Sequence, residues 1–255
     1  MNYSSDLNDA QWALIREFTV RPDPRGAVRR HSMREIINAI LYVGKTGCQW
    51  RQLPVNFAPW QTVYDHFRRL RLRGVWEEMM LRLNRKVREK RGRAPDPSYL
   101  IIDSQSVKSA AEGPERGFHG GKKVKGRGRQ IAVDTQGLIW AVHVHAANKS
   151  DTMEGCALAD LALENAPSTQ AWCADAGYRG TFENYVSKER GLPVHISERI
   201  HDGFAVLPRR WVVERTFAWG NGQRRLSKDY EKSTLCSEAM IHISAIARNL
   251  RALAA

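Results

Sequence analysis

The chain has 255 residues, with 40 Lys and Arg against 27 Asp and Glu, a net charge of +13. Its length supports an apolar core without disulfide staples, and four scattered cysteines (Cys48, Cys156, Cys173, Cys236) argue against a zinc ribbon or disulfide frame and for reduced thiols in a cytoplasmic protein. No apolar run reaches the roughly 20 residues of a membrane span, the polar start MNYSSDLNDAQW has no signal-peptide core, and a chain this basic attracts polyanions, nucleic acid first among them.

The basic excess leans toward the N-terminus, where residues 1–97 hold 19 basic and 10 acidic side chains. Residues 1–92 read as helical. Asp6 and Asn8 are cap candidates before AQWALIREF, and a loop rich in Pro, Gly and Arg covers 21–30. Ser32-Met33-Arg34-Glu35 is a capping box that opens IINAILYVG, a run that Gly44 and Gly47 should end. A second helix from Trp60 presents Val63, Phe67 and Leu70 on one side and carries Arg68, Arg69, Arg71 and Arg73; a third covers 75–90. Helix, short turn and arginine-bearing helix fit a helix-turn-helix DNA-binding module, or a plain bundle with a solvated basic face. Trp12, Trp50, Trp60 and Trp76 are expected in its core.

A Pro-rich linker, 93–98, precedes a change of pattern over 99–255. Tyr99–Ile102 is a short apolar strand ending at Asp103, and a Gly- and Lys-rich loop covers 109–129. Strands follow at 130–134 and 138–146 about the turn Thr135-Gln136-Gly137, then a helix capped by Asp151-x-x-Glu154, and a strand over 170–174 ending at Asp175. A helix at 181–190, a strand at 193–197 and helices at 209–229 and 235–254 complete the chain. This element order is that of a ribonuclease H-like α/β domain behind an all-helical N-terminal domain.

Asp103 and Asp175 close apolar strands, which would project them from a rigid frame, and Glu214 lies in the helical block RRWVVERTFAW. Carboxylates from separate elements that converge in a fold suit divalent-metal phosphoryl chemistry, in which two ions roughly 4 Å apart activate a water or 3′-hydroxyl and stabilise the leaving oxygen. Each acid also has a plain alternative: a turn or cap for the aspartates, an ion pair with Arg210 or Arg215 for Glu214. Asp134 and Asp151 are rivals that a hairpin turn and a helix cap explain. Arg210, Arg224, Arg225 and Lys228 form a basic track near Glu214, and each could neutralise a DNA phosphate. Lys122, Lys123, Lys125, Arg127 and Arg129 form a basic loop that either holds DNA ends or is simply solvated. His143 and His145 share a strand face with no third ligand near, and His119 has no assigned role.

The segments LNDAQWALI, REIINAILYVGKTGCQWRQLP, PWQTVYDHFRR, IIDSQSVKS, GKKVKGRGRQIAVDTQGL, ADAGYRG, VVERTFAW and RRLSKDYE occur in this order over nearly the whole chain. In them the sequence resembles bacterial insertion-sequence transposases of the IS-five type, within the DDE group of the retroviral-integrase superfamily. The resemblance implies a helical DNA-binding region over 1–92, a ribonuclease H-like catalytic domain over 99–255, and a catalytic, metal-binding triad at Asp103, Asp175 and Glu214. It further implies two Mg²⁺ ions, with Mn²⁺ a plausible substitute, and cleavage of terminal inverted repeats followed by joining of 3′-hydroxyl ends to target DNA. Double-stranded DNA would be the partner, in a homodimer or larger synaptic assembly, in the bacterial cytoplasm. A non-catalytic repressor descended from such an element and a structure-selective nuclease stay open beside this. The chain departs from the signature of related transposases at Leu207, where a Tyr is common, and at Asn221, where a Lys is. It also has Gly220 and Gly222 where relatives often have a bulky residue and an arginine. Only 38 residues separate Asp175 from Glu214, which leaves no room for a large insertion domain.

Overall fold

A computed structural model describes residues 3–20, 30–110, 113–197 and 210–254. Most of the 21–30 loop, Leu207 and the first residue of the expected 209–229 helix lie outside the described residues. Helix α1 (Asp9–Ile15) is opened by a capping box of Asn8 and Gln11, and α2 (Met33–Thr46) by the expected box of Ser32 and Glu35. Gly47 ends α2 with φ 71°, a left-handed value natural to glycine. Gly44 does not end it: it lies inside the helix, where an added Cβ would meet Ile243 at 3.8 Å. Helices α3 (Trp60–Leu72) and α4 (Val75–Lys90) turn about Gly74, whereas α2 and α3 are separated by the longer segment 47–59. Trp76 is buried; Trp12, Trp50 and Trp60 are partly covered.

Among the described residues six strands form one sheet: β1 (Tyr99–Lys108), β2 (Gly117–His119), β3 (Val124–Asp134), β4 (Ile139–Ala146), β5 (Ala171–Asp175) and β6 (Val194–Ser197). β3 lies antiparallel between β1 and β4, β2 pairs its first residues, and β1, β5 and β6 run parallel. Helix α5 (Asp151–Asn165) and the short α6 (Thr181–Asn184) cover one face; α7 (Arg210–Asn221) and α8 (Thr234–Ala254) cover the other. The described chain is thus a mixed α/β protein with a helical N-terminus, as the ribonuclease H-like expectation requires.

Alternation along β1 assigns its faces. Ile102 is 3.4 Å from where a Cβ on Gly155 of α5 would sit, whereas Gln105 lines a cavity against α7 and α8. Asp103 shares the Gln105 face.

The elements depart from the sequence reading in several places: β2 lies inside the expected 109–129 loop, and the expected helix at 181–190 is the short α6 followed by a π-turn, Tyr185–Glu189. β1 continues to Lys108, so Asp103 is within the strand and not at its end; Ser104–Lys108 holds one apolar residue, Val107, but pairs rung by rung with β3. The second half of the expected 109–129 loop is the start of β3. Gly126 and Gly128 fit there because a Cβ on either would collide with the Val107 carbonyl or the His145 ring. Helix α7 stops at Asn221, where Gly220 and Gly222 weaken it, and a 3₁₀ turn (Arg224–Leu226) follows.

The connection 93–98 is pinned, not loose. Arg85 pairs with Asp96 at 2.8 Å, and Arg88 donates to the Ala94 carbonyl at 2.7 Å while pairing with buried Asp134. Helices α1 to α4 all pack on α8, which also lies on β4, and buried residues of the helical region and the sheet form one contiguous cluster.

Candidate functional site

Parallel pairing of β1 with β5 runs through Tyr99–Ala171, Leu100–Trp172 and Ile101–Cys173. Asp103 and Asp175 stand two residues beyond the last rung, on the same side as the Ile101–Cys173 pair. Trp172 packs edge-on to Phe182 of α6 at 5.9 Å, so by alternation Cys173 and Asp175 face away from α5 and α6. Both aspartates therefore point toward the α7 layer, and both are half-buried. The Asp175 carboxylate accepts from the Gly177 amide at 2.9 Å and caps the turn Ala176–Tyr178, and Asp103 accepts from the Ser104 amide at 2.7 Å. Each aspartate is fixed by a local backbone bond.

Helix α7 packs on β1, β3 and β5. Val213 and Thr216 are buried beneath it, with Thr216 donating to the Gly137 carbonyl at 3.2 Å, and Glu214 is exposed beside them. The ion pair with Arg215 that sequence neighbourhood allows is not the contact Arg215 makes. Its guanidinium lies 4.1 Å from the Trp211 ring and 4.4 Å from Trp219, and it donates to the Gln136 carbonyl at 3.3 Å. Among the described residues no three His, Cys, Asp or Glu side chains are grouped closely enough to hold a metal ion. The fold thus brings Asp103 and Asp175 to one face of adjacent strands and sets Glu214 on the helix above, without gathering the three into a cage. Carboxylate oxygens are the donors a hard divalent cation takes.

A fourth acid approaches from the other side. Asp151, first residue of α5, accepts from the Ser104 hydroxyl at 2.6 Å and lies 3.8 Å from Lys122. It is the first helical residue and not the cap; the N-cap position is Ser150, whose side chain makes no capping bond. Burial, then the charges of Asp103, Asp151 and Asp175, hold the Tyr178 phenol well above its ordinary value. Tyr178 carries no sequence signal beyond its place in ADAGYRG. Nearby, His143 bonds Glu154 at 2.7 Å, and buried His145 bonds the Ala146 carbonyl at 2.9 Å. His119 accepts from the Lys122 amide at 2.9 Å, a turn role.

The basic residues divide sharply. Lys122, Lys123 and Lys125 are exposed, but Arg127 and Arg129, read with them as one loop, are only 1% and 4% exposed. Arg127 donates to the Glu231, Lys232 and Pro114 carbonyls at 2.9–3.1 Å and pairs with Asp229 at 3.2 Å; Arg129 donates to the Leu226 and Lys228 carbonyls. Of the track after Glu214, Arg224 and Lys228 are exposed, whereas Arg225 is buried, pairing with Glu231 at 2.7 Å and donating to the Cys48 carbonyl at 3.0 Å. Arg127 and Arg225 spend their donors inside the protein. The side chain of Arg210 lies outside the described residues. On α3, Arg68 and Arg69 are exposed and Arg71 is half-covered, and Arg73, just past its end, is exposed; Asp65 pairs with Arg69 at 2.8 Å. All four cysteines are free, and no helix among the described residues is long and apolar enough to cross a membrane.

Comparison with known proteins gives two family matches in chain order. Residues 7–80 match the model for a transposase of IS4/5 family, and residues 94–250 match the transposase DDE domain. Two relatives are each 29% identical. One is an uncharacterized protein, y4sN, of Sinorhizobium fredii, over 103 residues (40% of this chain, 76% of its own length). The other is an insertion element IS402 uncharacterized 16.2 kDa protein of Burkholderia cepacia, over 117 residues (44% of this chain, 78% of its own length).

Proposed function

The chain belongs to the DDE transposases, and we propose that it binds the terminal inverted repeats of an insertion sequence, cleaves them, and joins the freed 3′-hydroxyl ends to target DNA. The observation that carries this reading is the placement of Asp103 and Asp175 on one face of adjacent parallel strands, under the helix that bears Glu214. In this reading the three carboxylates hold two Mg²⁺ ions, for which Mn²⁺ can substitute. The metal supplies Lewis acidity and lowers the pKa of the attacking water or hydroxyl. The protein fixes the two aspartates through the Ser104 and Gly177 amides, so neither turns away from the α7 face. Lys122, Lys123 and Lys125 on one side and Arg224 and Lys228 on the other are exposed cations for the phosphate backbone. Arg68, Arg69, Arg71 and Arg73 on α3 extend that surface to the helical region. Because two DNA ends must be held together, the acting form is a homodimer or larger assembly, working on DNA in the bacterial cytoplasm.

The deciding experiment uses purified full-length protein, Mg²⁺ and DNA carrying the element ends. Glu214→Gln should abolish cleavage and leave end binding within about twofold. Cleavage that survives the substitution would remove Glu214 from the site. Failure of a supplied 3′-hydroxyl end to be joined to target DNA would reduce the function to that of a nuclease.

A further inference from the structure

Alternation along β1 places Ser104, like Ile102, on the α5 face, opposite Asp103. Two rows of residues run across three strands there, Ser104–Gln130–His143 and Ser106–Gly128–His145, and α5 begins over them with Asp151. Asp151 is held from the sheet at two points. Its Oδ2 accepts from the Ser104 hydroxyl at 2.6 Å, and its carbonyl accepts from Gln130 Nε2 at 2.7 Å. Two further groups approach the carboxylate: Lys122 Nζ lies 3.8 Å from Oδ2, and His145 Nε2 lies 4.0 Å from Oδ1. The Ser104 amide meanwhile donates to the Asp103 carboxylate at 2.7 Å. One serine thus ties an acid on each face of the sheet, and what holds Asp151 also holds the backbone that orients Asp103.

The two approaching groups differ. Lys122 is exposed, between β2 and β3, and can turn to a phosphate. His145 is 3% exposed. Its Nδ1 lies 2.9 Å from the Ala146 carbonyl, which only accepts, so Nδ1 bears the hydrogen and Nε2 presents a lone pair. That Nε2 is buried with no hydrogen-bond partner among the described residues. The ring lies against β3, where a Cβ on Gly128 would be 2.4 Å from Cε1. Burial is the chief cause that holds the imidazole below its ordinary value; the Ala146 bond, Glu154 and Asp151 oppose it, and His143 adds to it. His143 itself lies between Glu154 at 2.7 Å and Glu238 at 3.8 Å, and Lys149 is 3.2 Å from Glu154. A buried imidazole that faces a carboxylate is charged more readily once that carboxylate has lost another cation.

We propose that Asp151 is a positioning residue for Asp103, acting through Ser104, and that it exchanges its counter-charge when DNA binds: Lys122 in the free chain, protonated His145 once a phosphate has drawn Lys122 away. The proton comes from solvent to Nε2, and the only pairing lost is that of Lys122 with Asp151. Ser104 keeps its acceptor in both states, so Asp103 stays oriented while the lysine works on DNA. The proposal rests on the reading of the protein as a DNA-cleaving enzyme. Because binding takes up a proton, it strengthens as pH falls through the range in which His145 becomes charged.

The test uses the full-length chain and a duplex carrying the element ends, in EDTA, titrated calorimetrically at about pH 6 in two buffers of different ionisation enthalpy. Wild-type chain should take up about half a proton more than Asp151→Asn on binding. The difference is the readout, because His119 beside Lys122 can also respond to DNA. His145→Gln and Lys122→Gln should each lose the same increment, and the double variant no more than either alone. Lys122→Gln, an exposed change, decides the point if His145→Gln does not fold. With Mg²⁺ added, Asp151→Asn and Ser104→Ala should each slow single-turnover cleavage about tenfold, and Ser104→Thr, which keeps the hydroxyl, should recover most of that loss. Equal proton uptake by wild type, Asp151→Asn and Lys122→Gln would overturn the exchange. Undiminished cleavage by both Asp151→Asn and Ser104→Ala would overturn the positioning role. A wild-type chain that binds no DNA would overturn the DNA-cleaving reading, and this proposal with it.

Discussion

Asp103 lies within β1, and Asp229 is bonded through its backbone to Lys108 at the end of the same strand. The protein treats the two acids in opposite ways. Asp229 is fully buried, with Arg127 at 3.2 Å, Arg129 at 3.8 Å, the Ser237 hydroxyl at 2.8 Å and the Glu231 amide at 3.0 Å around it. Asp103 is half-buried, as is Asp175. One region neutralises a buried charge and gains a fixed loop; the other sets two half-buried carboxylates on one face of adjacent strands, each held by a backbone amide. Neutralised burial marks an architectural acid. Half-buried acids fixed on one sheet face mark a place where charge has work to do.

The comparison breaks first on activity. Asp103→Asn and Asp175→Asn should each lower DNA cleavage by about a thousandfold or more, while urea unfolding shifts by under about 1 kcal/mol, as for substitutions outside a packed core. Large destabilisation by either would move that acid into the architectural class. Next comes stability: Arg127→Ala strands Asp229 without its main counter-charge and should cost about 3–5 kcal/mol, read by the same unfolding curve. A loss below about 1 kcal/mol would mean that the buried hub is not needed. A smaller effect is expected on the exposed cations. Replacing Lys122, Lys123 and Lys125 together by Gln should weaken DNA binding and reduce the slope of log K against log salt by roughly 2–3, about 0.9 for each phosphate no longer neutralised. An unchanged slope would leave them as solvated side chains.

A last effect, confined to pH dependence, concerns Glu238, which accepts from the Val144 amide and is held up at about 7, from an ordinary 4.5, chiefly by burial. Between those values the folded chain keeps a proton that the unfolded chain has released, so stability falls as pH rises from 4.5 and the penalty is complete above 7. Glu238→Gln keeps the acceptor and removes the charge. Its melting temperature should exceed the parent's at about pH 8 and match it near pH 4.5, and equal differences at both would refute the assignment.

Much of this contrast is legible in the sequence, and the missing part has a physical reason. The caps of α1 and α2, the strand–acid junction at Asp175 and the hairpin turn after Asp134 are local, and local chemistry writes them into adjacent residues. The turn is reason enough for Asp134 to stand behind the triad, and its two backbone bonds and pairing with Arg88 agree. Lys122 to Arg129 read as one basic loop because composition cannot show that Arg127 and Arg129 turn inward; their acceptors lie about a hundred residues away, at Leu226 to Lys232. The same distance hides Arg225, whose partner carbonyl belongs to Cys48, and Asp151, whose approach to Ser104 follows from the sheet.

Helix α8 is packed by the N-terminal helices on one side and by β4 on the other. Acting as a shared strut, it makes the two regions a single gauge block: the spacing between the arginines of α3 and the acids of β1 and β5 is set by side-chain packing and not by the length of a tether. A duplex gripped on the α3 surface would then be cut a constant number of base pairs from the grip. Residues 93–98 could be lengthened by several glycines without moving that cut, whereas a large-to-small change at Ile246, buried on α8, would blur it.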